Sequence, residues 1–288
     1  MCGIFGILNN CEHPEHVEYN DETTRQEMSN MNYIDDNLIQ CSFEKGKGRG
    51  PETSKLLKVA DNVTLGFHRL AINGLDQMSD QPLEMHGIYL ICNGEIYNYK
   101  ELFLYIGIEP KTNSDCEIII HLYKKYGIEY LLQLLDGVFA FVLYDGNNEE
   151  IYVARDPYGV RPLYVLNYKD NNMYGFASEL KVLSCLMNDT TKPSTKYGSI
   201  NHILPGTYLI FQKEKGNNDN VWKLNSSLKG IKYTTCHFSK QLLISKKSYM
   251  ETDPLPNIYN KIYNSLINAV KKRVIGTTNR PIACLLSG

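Results

Sequence analysis

Residues 3–8 (Gly-Ile-Phe-Gly-Ile-Leu) form an unbroken apolar run too short for a typical helix, which is the pattern of a strand buried on both faces. Residues 9–48 are polar and rich in Asn, Glu and Asp, so a surface insertion with at most one short helix is expected there. The pattern then becomes sheet-like. Strands are predicted over 63–67, 88–92, 137–144, 150–154, 162–168, 173–177 and 206–212. Helical spacing interrupts this series. Ser114-Asp115-Cys116-Glu117 has the form of a capping box ahead of Ile118, Ile119, Leu122, Tyr123 and Tyr126, and a second helix covers 128–135. Ser178 is placed to cap another helix over 179–186. Strands interrupted by paired helices, without strict alternation, predict an α+β layered domain.

Beyond residue 212 the pattern weakens. A linker is expected over 213–256, most flexible at 216–220. Ile258, Ile262, Leu266 and Val270 then recur every four residues, with Tyr263, Ile267 and Val274 alongside, predicting an amphipathic helix. Lys271, Lys272 and Arg273 lie at its C-terminal end, where the helix dipole favours cations, and Gly276 is placed to stop it. Residues 281–286 read as a strand that runs into Ser287-Gly288, as at the first loop of a second domain. The expected division is therefore 1–212, a linker over 213–256, and the start of a further domain over 257–288.

A chain that is 43% hydrophobic and 22% charged has the make-up of a globular protein. Its formal net charge of -2 gives no electrostatic case for nucleic acid or an anionic membrane as partner. The eight cysteines are dispersed, without a C-x-x-C pair, which predicts reduced thiols and a cytoplasmic location. No basic n-region leads the chain, and no stretch reaches the ~18 apolar residues that would span a bilayer. Cys11, His13 and His16 are close enough to suggest metal ligands, but without a second cluster they read as solvated surface, and no metal is expected. The Gly46–Pro51 stretch lacks the spacing of a phosphate loop.

The chemistry starts at Cys2. If Met1 is removed, one residue carries both a nucleophilic thiol and an α-amine able to act as its base. The competing reading is a small buried hydrophobe that opens a strand. Asn93-Gly94 offers a side-chain amide and an unshielded backbone N–H for an oxyanion, or equally a type I′ hairpin turn. Arg69 can grip a carboxylate or belong to a surface ion pair. Asp115 can bind an ammonium or simply favour a helix N-terminus.

Read in order, Met1–Gly6, Arg49-Gly50-Pro51, His68-Arg69-Leu70, Asn93–Asn98 and Ser114-Asp115 resemble the glutaminase domain of the class II glutamine amidotransferases. So do Leu135–Phe141, Arg155–Leu163 and Ala177-Ser178-Glu179. Residues 257–288 are similar to the opening of the ATP domain in asparagine synthetases. The resemblance implies an αββα four-layer sandwich of the N-terminal-nucleophile hydrolases, followed by the first helix and strand of an α/β ATP-pyrophosphatase-type domain. It implies that Cys2 attacks the γ-carboxamide of glutamine while Asn93 and Gly94 form the oxyanion hole. Arg69 would hold the α-carboxylate, Glu95 and Asp115 the α-ammonium, and Leu70, Ala71, Ile72 and Asn73 would line the pocket.

The glutaminase step would need no cofactor. In a longer protein, ammonia would pass through a tunnel to a site using ATP, Mg²⁺ and aspartate, whose ATP loop would begin at Leu285, Ser287 and Gly288. The residues leave the oligomeric state open, and a homodimer is carried forward as the assembly to test. Two departures stand out: Gly48 and Glu52 replace the His and Asp that usually flank Arg-Gly-Pro, and the 9–48 insertion is longer than usual. The alternatives are another class II amidotransferase, or a catalytically silent version of the fold used for binding or regulation.

Overall fold

A computed structural model describes residues 2–9, 36–168, 173–187, 198–215, 220–225, 227–235, 255–277 and 280–285. Its strands and helices in chain order begin with β1 (Gly3–Leu8), α1 (Asp36–Glu44), β2 (Thr53–Ala60), β3 (Val63–Arg69), β4 (Leu83–Met85) and β5 (Ile88–Ile96). Then come α2 (Tyr99–Ile106), α3 (Ile118–Leu134), β6 (Gly137–Asp145), β7 (Glu150–Arg155), β8 (Tyr164–Tyr168) and β9 (Met173–Ala177). The series ends with α4 (Leu180–Met187), β10 (Gly198–His202), β11 (Thr207–Lys215), β12 (Asn220–Leu224), β13 (Ile231–Lys232) and α5 (Leu255–Ile275). Cys11, His13, His16, Ser287 and Gly288 lie outside the described residues.

The chain divides into two units. The first comprises residues 1–70, 81–94 and 139–232. It contains a six-stranded sheet in the order β10-β8-β9-β1-β3-β2 and most of a seven-stranded sheet in the order β12-β11-β7-β6-β5-β4, with β13 beside β11. The ladders of β1 with β3 and β9, and of β7 with β6 and β11, are antiparallel.

β1 shows why its apolar run is continuous. Ile4 and Leu8 face a core shared with Ile91, Val142, Val153, Leu209, Phe211 and Trp222 of the second sheet. Phe5 and Ile7 point the other way, into a layer with Ile39 and Phe43 of α1 and Val182, Leu183 and Leu186 of α4. Two-sided burial requires apolar residues at every position, where a half-exposed strand would alternate.

The second unit comprises residues 71–80, 95–138 and 233–288. Here α3 breaks at Gly127 (φ 77°, ψ 175°), a conformation L side chains rarely adopt, so the two expected helices are present as two halves. Asn98 ties the end of α3 to the strand that precedes α2: its Nδ2 donates to the Leu134 carbonyl (2.9 Å) and its Oδ1 accepts from Asp136 N–H (3.0 Å). The expected helix near the C-terminus is α5. Its apolar positions Ile258, Ile262, Leu266 and Val270 are exposed, Lys272 pairs with Asp136, and Arg273 lies over the Tyr97 ring at 5.4 Å.

Four expectations need correction. Residues 281–285 are exposed and unpaired as strand, because a strand requires a partner ladder that local pattern does not provide. Ser114 does not form a reciprocal capping box. Its Oγ accepts from Cys116 N–H (3.3 Å), while Glu117 accepts from Lys111 and Thr112 N–H (2.8 and 2.6 Å) and pairs with His121. The Ser178 hydroxyl accepts from Ile4 N–H (3.1 Å), fastening the sheet. The second sheet also continues past Gln212 through β12 and β13, burying Trp222.

Asp156 is fully buried, and its carboxylate accepts from the N–H groups of Tyr158 and Val160 at Oδ1 (3.0 Å each) and of Phe139 and Arg161 at Oδ2 (3.3 and 3.1 Å). Asp156→Asn would turn an NH₂ toward two of these donors and leave them unsatisfied. We expect it to lower unfolding free energy by about 3 kcal/mol, read from the midpoint and slope of urea denaturation; a loss below about 1 kcal/mol would show that the cage is dispensable.

Candidate active site

Cys2 sits immediately before β1, half-buried and packed against the inter-sheet core. The register of β1 with β3 pairs Gly3 with His68, which brings Leu70 beside the thiol. Leu70 N–H donates to Sγ at 3.4 Å, and the S–H donates to the Leu70 carbonyl at 3.3 Å. Burial pushes the Cys2 thiol above its ordinary pKa, outweighing the opposing pull of the Leu70 contact and the Arg69 charge. Burial thus disfavours the thiolate, so attack calls for a base.

The support for Cys2 comes from Arg49, which stood in the sequence reading as part of the Arg49-Gly50-Pro51 motif without a chemical role. Its Nε donates to the Cys2 carbonyl at 2.8 Å, and its Nη1 lies 3.9 Å from Glu179 Oε1. Lys181 Nζ meets the other Glu179 oxygen at 3.0 Å. Nothing local marks this arrangement, since Arg49 and Glu179 are far apart in sequence. Gly50 is required by space: a Cβ there would lie 2.2 Å from the His68 carbonyl oxygen. His68 is clamped between Ser54 (2.7 Å) and the Phe43 carbonyl (2.8 Å) and stacks on Phe43; burial lowers its pKa.

Asn93 and Gly94 lie inside β5, which excludes the hairpin reading. Asn93 is 2% exposed, and its buried Nδ2 finds no acceptor among the described residues. Gln81 holds the preceding residue at both ends: its Oε1 accepts from Cys92 N–H at 2.5 Å, and its Nε2 donates to the Cys92 carbonyl at 3.1 Å. The strand that presents Asn93 is thus fixed by a side chain that local pattern did not single out. Arg69 is 7% exposed, so the surface ion-pair reading falls as well.

The second unit carries the other candidates. Asp115 is 5% exposed; its Oδ2 accepts from Ile96 N–H at 2.6 Å and its Oδ1 from Asn73 Nδ2 at 3.5 Å. Burial raises its pKa to about 6, against hydrogen bonds that lower it, and the charge of Glu95 pushes the same way as burial. Its acidity is what a buried carboxylate awaiting a cation would show. Ala71 accepts from Arg280 Nε (3.2 Å), and Ile72 is half-buried. Leu285 is fully exposed. No helix among the described residues is long and apolar enough to cross a membrane.

Comparison with known proteins accords with this arrangement. Residues 1–223 match the glutamine amidotransferase domain family. The chain is 38% identical over 259 residues to a protein of Mus musculus named asparagine synthetase [glutamine-hydrolyzing], covering 87% of this chain and 44% of that relative. It is 36% identical over 259 residues, with the same coverage, to a probable asparagine synthetase [glutamine-hydrolyzing] of Acanthamoeba polyphaga mimivirus. The chain thus spans less than half the length of these relatives. In fold it is similar to the glutamine phosphoribosylpyrophosphate amidotransferase of B. subtilis, with a TM-score of 0.51 at 22% identity over 78% of this chain and 49% of that one. With two antiparallel sheets and a cysteine placed before the first strand, the chain belongs to the glutamine amidotransferase domain family.

Proposed function

We propose that this chain hydrolyses glutamine to glutamate and ammonia, and that it is the glutaminase part of an asparagine synthetase. The observation that carries the reading is Asn93: a buried amide donor without an acceptor among the described residues, in the region of the chain where the oxyanion hole is expected. Such a group costs roughly 1–3 kcal/mol while idle and stabilises a developing negative charge when one forms.

In the proposed reaction, Met1 has been removed and the Cys2 α-amine takes the thiol proton. Sulfur attacks the γ-carbonyl carbon, and Asn93 Nδ2 and Gly94 N–H stabilise the oxyanion. The C–N bond breaks and ammonia leaves with the transferred proton. Water then cleaves the thioester, releasing glutamate and restoring the thiol. Arg69 holds the α-carboxylate, Asp115 and Glu95 the α-ammonium, and Leu70, Ala71, Ile72 and Asn73 line the pocket. The α-amine on the same residue serves as the base for the thiol.

The synthetase part of the proposal rests on the 36–38% identity to proteins bearing that name. It assigns 1–212 to the glutaminase domain, whose sheet β12 and β13 extend to Lys232, a linker to the stretch from there to 256, and 257–288 to the opening of an ATP domain that amidates aspartate with Mg²⁺ in a longer protein. Leu285 is fully exposed, and Ser287 and Gly288 lie outside the described residues. A cytoplasmic location and a homodimer belong to the same proposal.

Glutamate release from Met1-processed protein is expected to vanish in Cys2→Ala and to fall about 10²–10³-fold in kcat in Asn93→Ala. Equal rates in wild type and Cys2→Ala would eliminate the proposal, and a retained Met1 with no turnover would favour a silent binding module.

Asp115 also predicts a pH dependence. Its raised folded pKa contributes stability that is present below the ordinary carboxylate range and lost as pH rises through about 6. The ionised form is thus about 3 kcal/mol dearer than in water, and a substrate ammonium offsets that cost. Glutamine affinity measured calorimetrically on Cys2→Ala protein should therefore weaken as pH falls through about 6, approaching tenfold per unit below it. Asp115→Asn should bind weakly and without this slope; an unchanged slope in that variant would remove Asp115 from ammonium recognition.

A further inference from the structure

Outside the candidate site, Lys45 and Cys185 meet at the seam of the two helices that cover the first sheet. Lys45 directly follows α1, and Cys185 lies in the last turn of α4. Lys45 Nζ is 2.6 Å from Cys185 Sγ. That is shorter than an ordinary N–H···O hydrogen bond of about 2.7–3.2 Å, although sulfur is the larger atom. The Cys185 S–H points back along its own helix to the Lys181 carbonyl at 3.3 Å, which leaves the sulfur lone pairs for another partner.

The pair does not hold the seam together. The Ser42 hydroxyl donates to the Val182 carbonyl, and Ile39, Phe43, Val182, Leu183 and Leu186 share one apolar cluster. A thiol and an amine are therefore held at a separation set by the helices, in an exposed contact that a small oxidant can reach.

We infer that Lys45 and Cys185 form a covalent N–O–S bridge when the chain meets hydrogen peroxide. The separation is too long for a direct N–S bond and leaves room for one bridging oxygen. In the first step peroxide oxidises the S–H to a sulfenic acid and releases one water. In the second, the sulfenic oxygen stays on sulfur and bonds to the Lys45 nitrogen, an N–H and the O–H are lost, and a second peroxide is reduced to two waters. One thiol, one amine and two peroxides thus give one bridge and three waters, with sulfur and nitrogen oxidised and both O–O bonds reduced.

The bridge joins residues 140 apart in sequence. It ties the end of α1, from which the chain runs through Gly46 to Arg49, to the helix that follows Glu179. Arg49 donates to the Cys2 carbonyl, and Glu179 lies against Arg49.

The test treats the 288-residue chain with hydrogen peroxide, digests it at non-lysine sites and weighs the peptides. The expected product is the Lys45 peptide joined to the Cys185 peptide, heavier than their sum by about 14 Da, one oxygen gained and two hydrogens lost. Cys185→Ser and Lys45→Arg, both conservative changes at an exposed contact, should each abolish it. Reductive dimethylation of Lys45 before peroxide, which needs no variant to fold, should block it too. Cys185 advancing to sulfinic or sulfonic acid with Lys45 unmodified would overturn the inference. A joined pair lighter by two hydrogens, a direct sulfenamide, would overturn the oxygen bridge.

Discussion

Strand β1 carries apolar side chains to both sides, Ile4 and Leu8 into the core between the sheets and Phe5 and Ile7 into the layer under α1 and α4. A strand buried on both faces cannot slip by one residue without exchanging its side chains between the two packed layers. That constraint fixes Gly3 opposite His68, and with it the position of Cys2 beside the Leu70 backbone. The thiol is thus positioned by the packing of residues that follow it. Arg49 adds a tether at the Cys2 carbonyl, so the nucleophile is held by apolar packing on one side and a charged hydrogen bond on the other.

The same burial sets the electrostatics. Where the fold needs a polar group only for structure, it satisfies that group completely: Asp156 has four N–H donors, and Arg155 reaches the carbonyls of Arg161, Ile203 and Gly159 at 2.8, 2.6 and 2.6 Å. Asn93 and Asp115 differ. One keeps a buried donor without an acceptor, and the other keeps a carboxylate whose pKa is raised to about 6 by burial. A buried donor without an acceptor and a buried carboxylate of raised pKa are groups that a ligand of complementary polarity would complete.

Much of this was legible from residues alone, and what was not has physical reasons. The strongly apolar strands β1, β6, β7 and β9 stand out because burial imposes their pattern. β2 does not, because as an edge strand with largely exposed positions it has no core face to advertise. α2 escaped notice although Gly107 follows it as a C-terminal cap. The Asn93-Gly94 dipeptide carried two meanings locally; only pairing within β5 removed the turn. Arg49 and Glu179, like Gln81 and Cys92, act on residues brought close by topology, which no window along the chain contains.

The motifs that carried the family resemblance divide accordingly. Asn93 keeps a buried donor without an acceptor among the described residues and burial raises the pKa of Cys2 and Asp115, whereas Arg155 and Asp156 spend their charges on backbone groups. Arg49-Gly50-Pro51 belongs to both classes: Arg49 touches the nucleophile's own carbonyl, while Gly50 is there because the His68 carbonyl leaves no room for a Cβ. The Gly48 and Glu52 departures on either side of this triplet are therefore tolerable in physical terms. A Cβ at Gly48 would meet nothing within 4 Å, and the Glu52 backbone N–H keeps its bond to the Arg69 carbonyl at 3.1 Å whatever its side chain. The tether to Cys2 depends on Arg49 and on the room at Gly50, and both are intact.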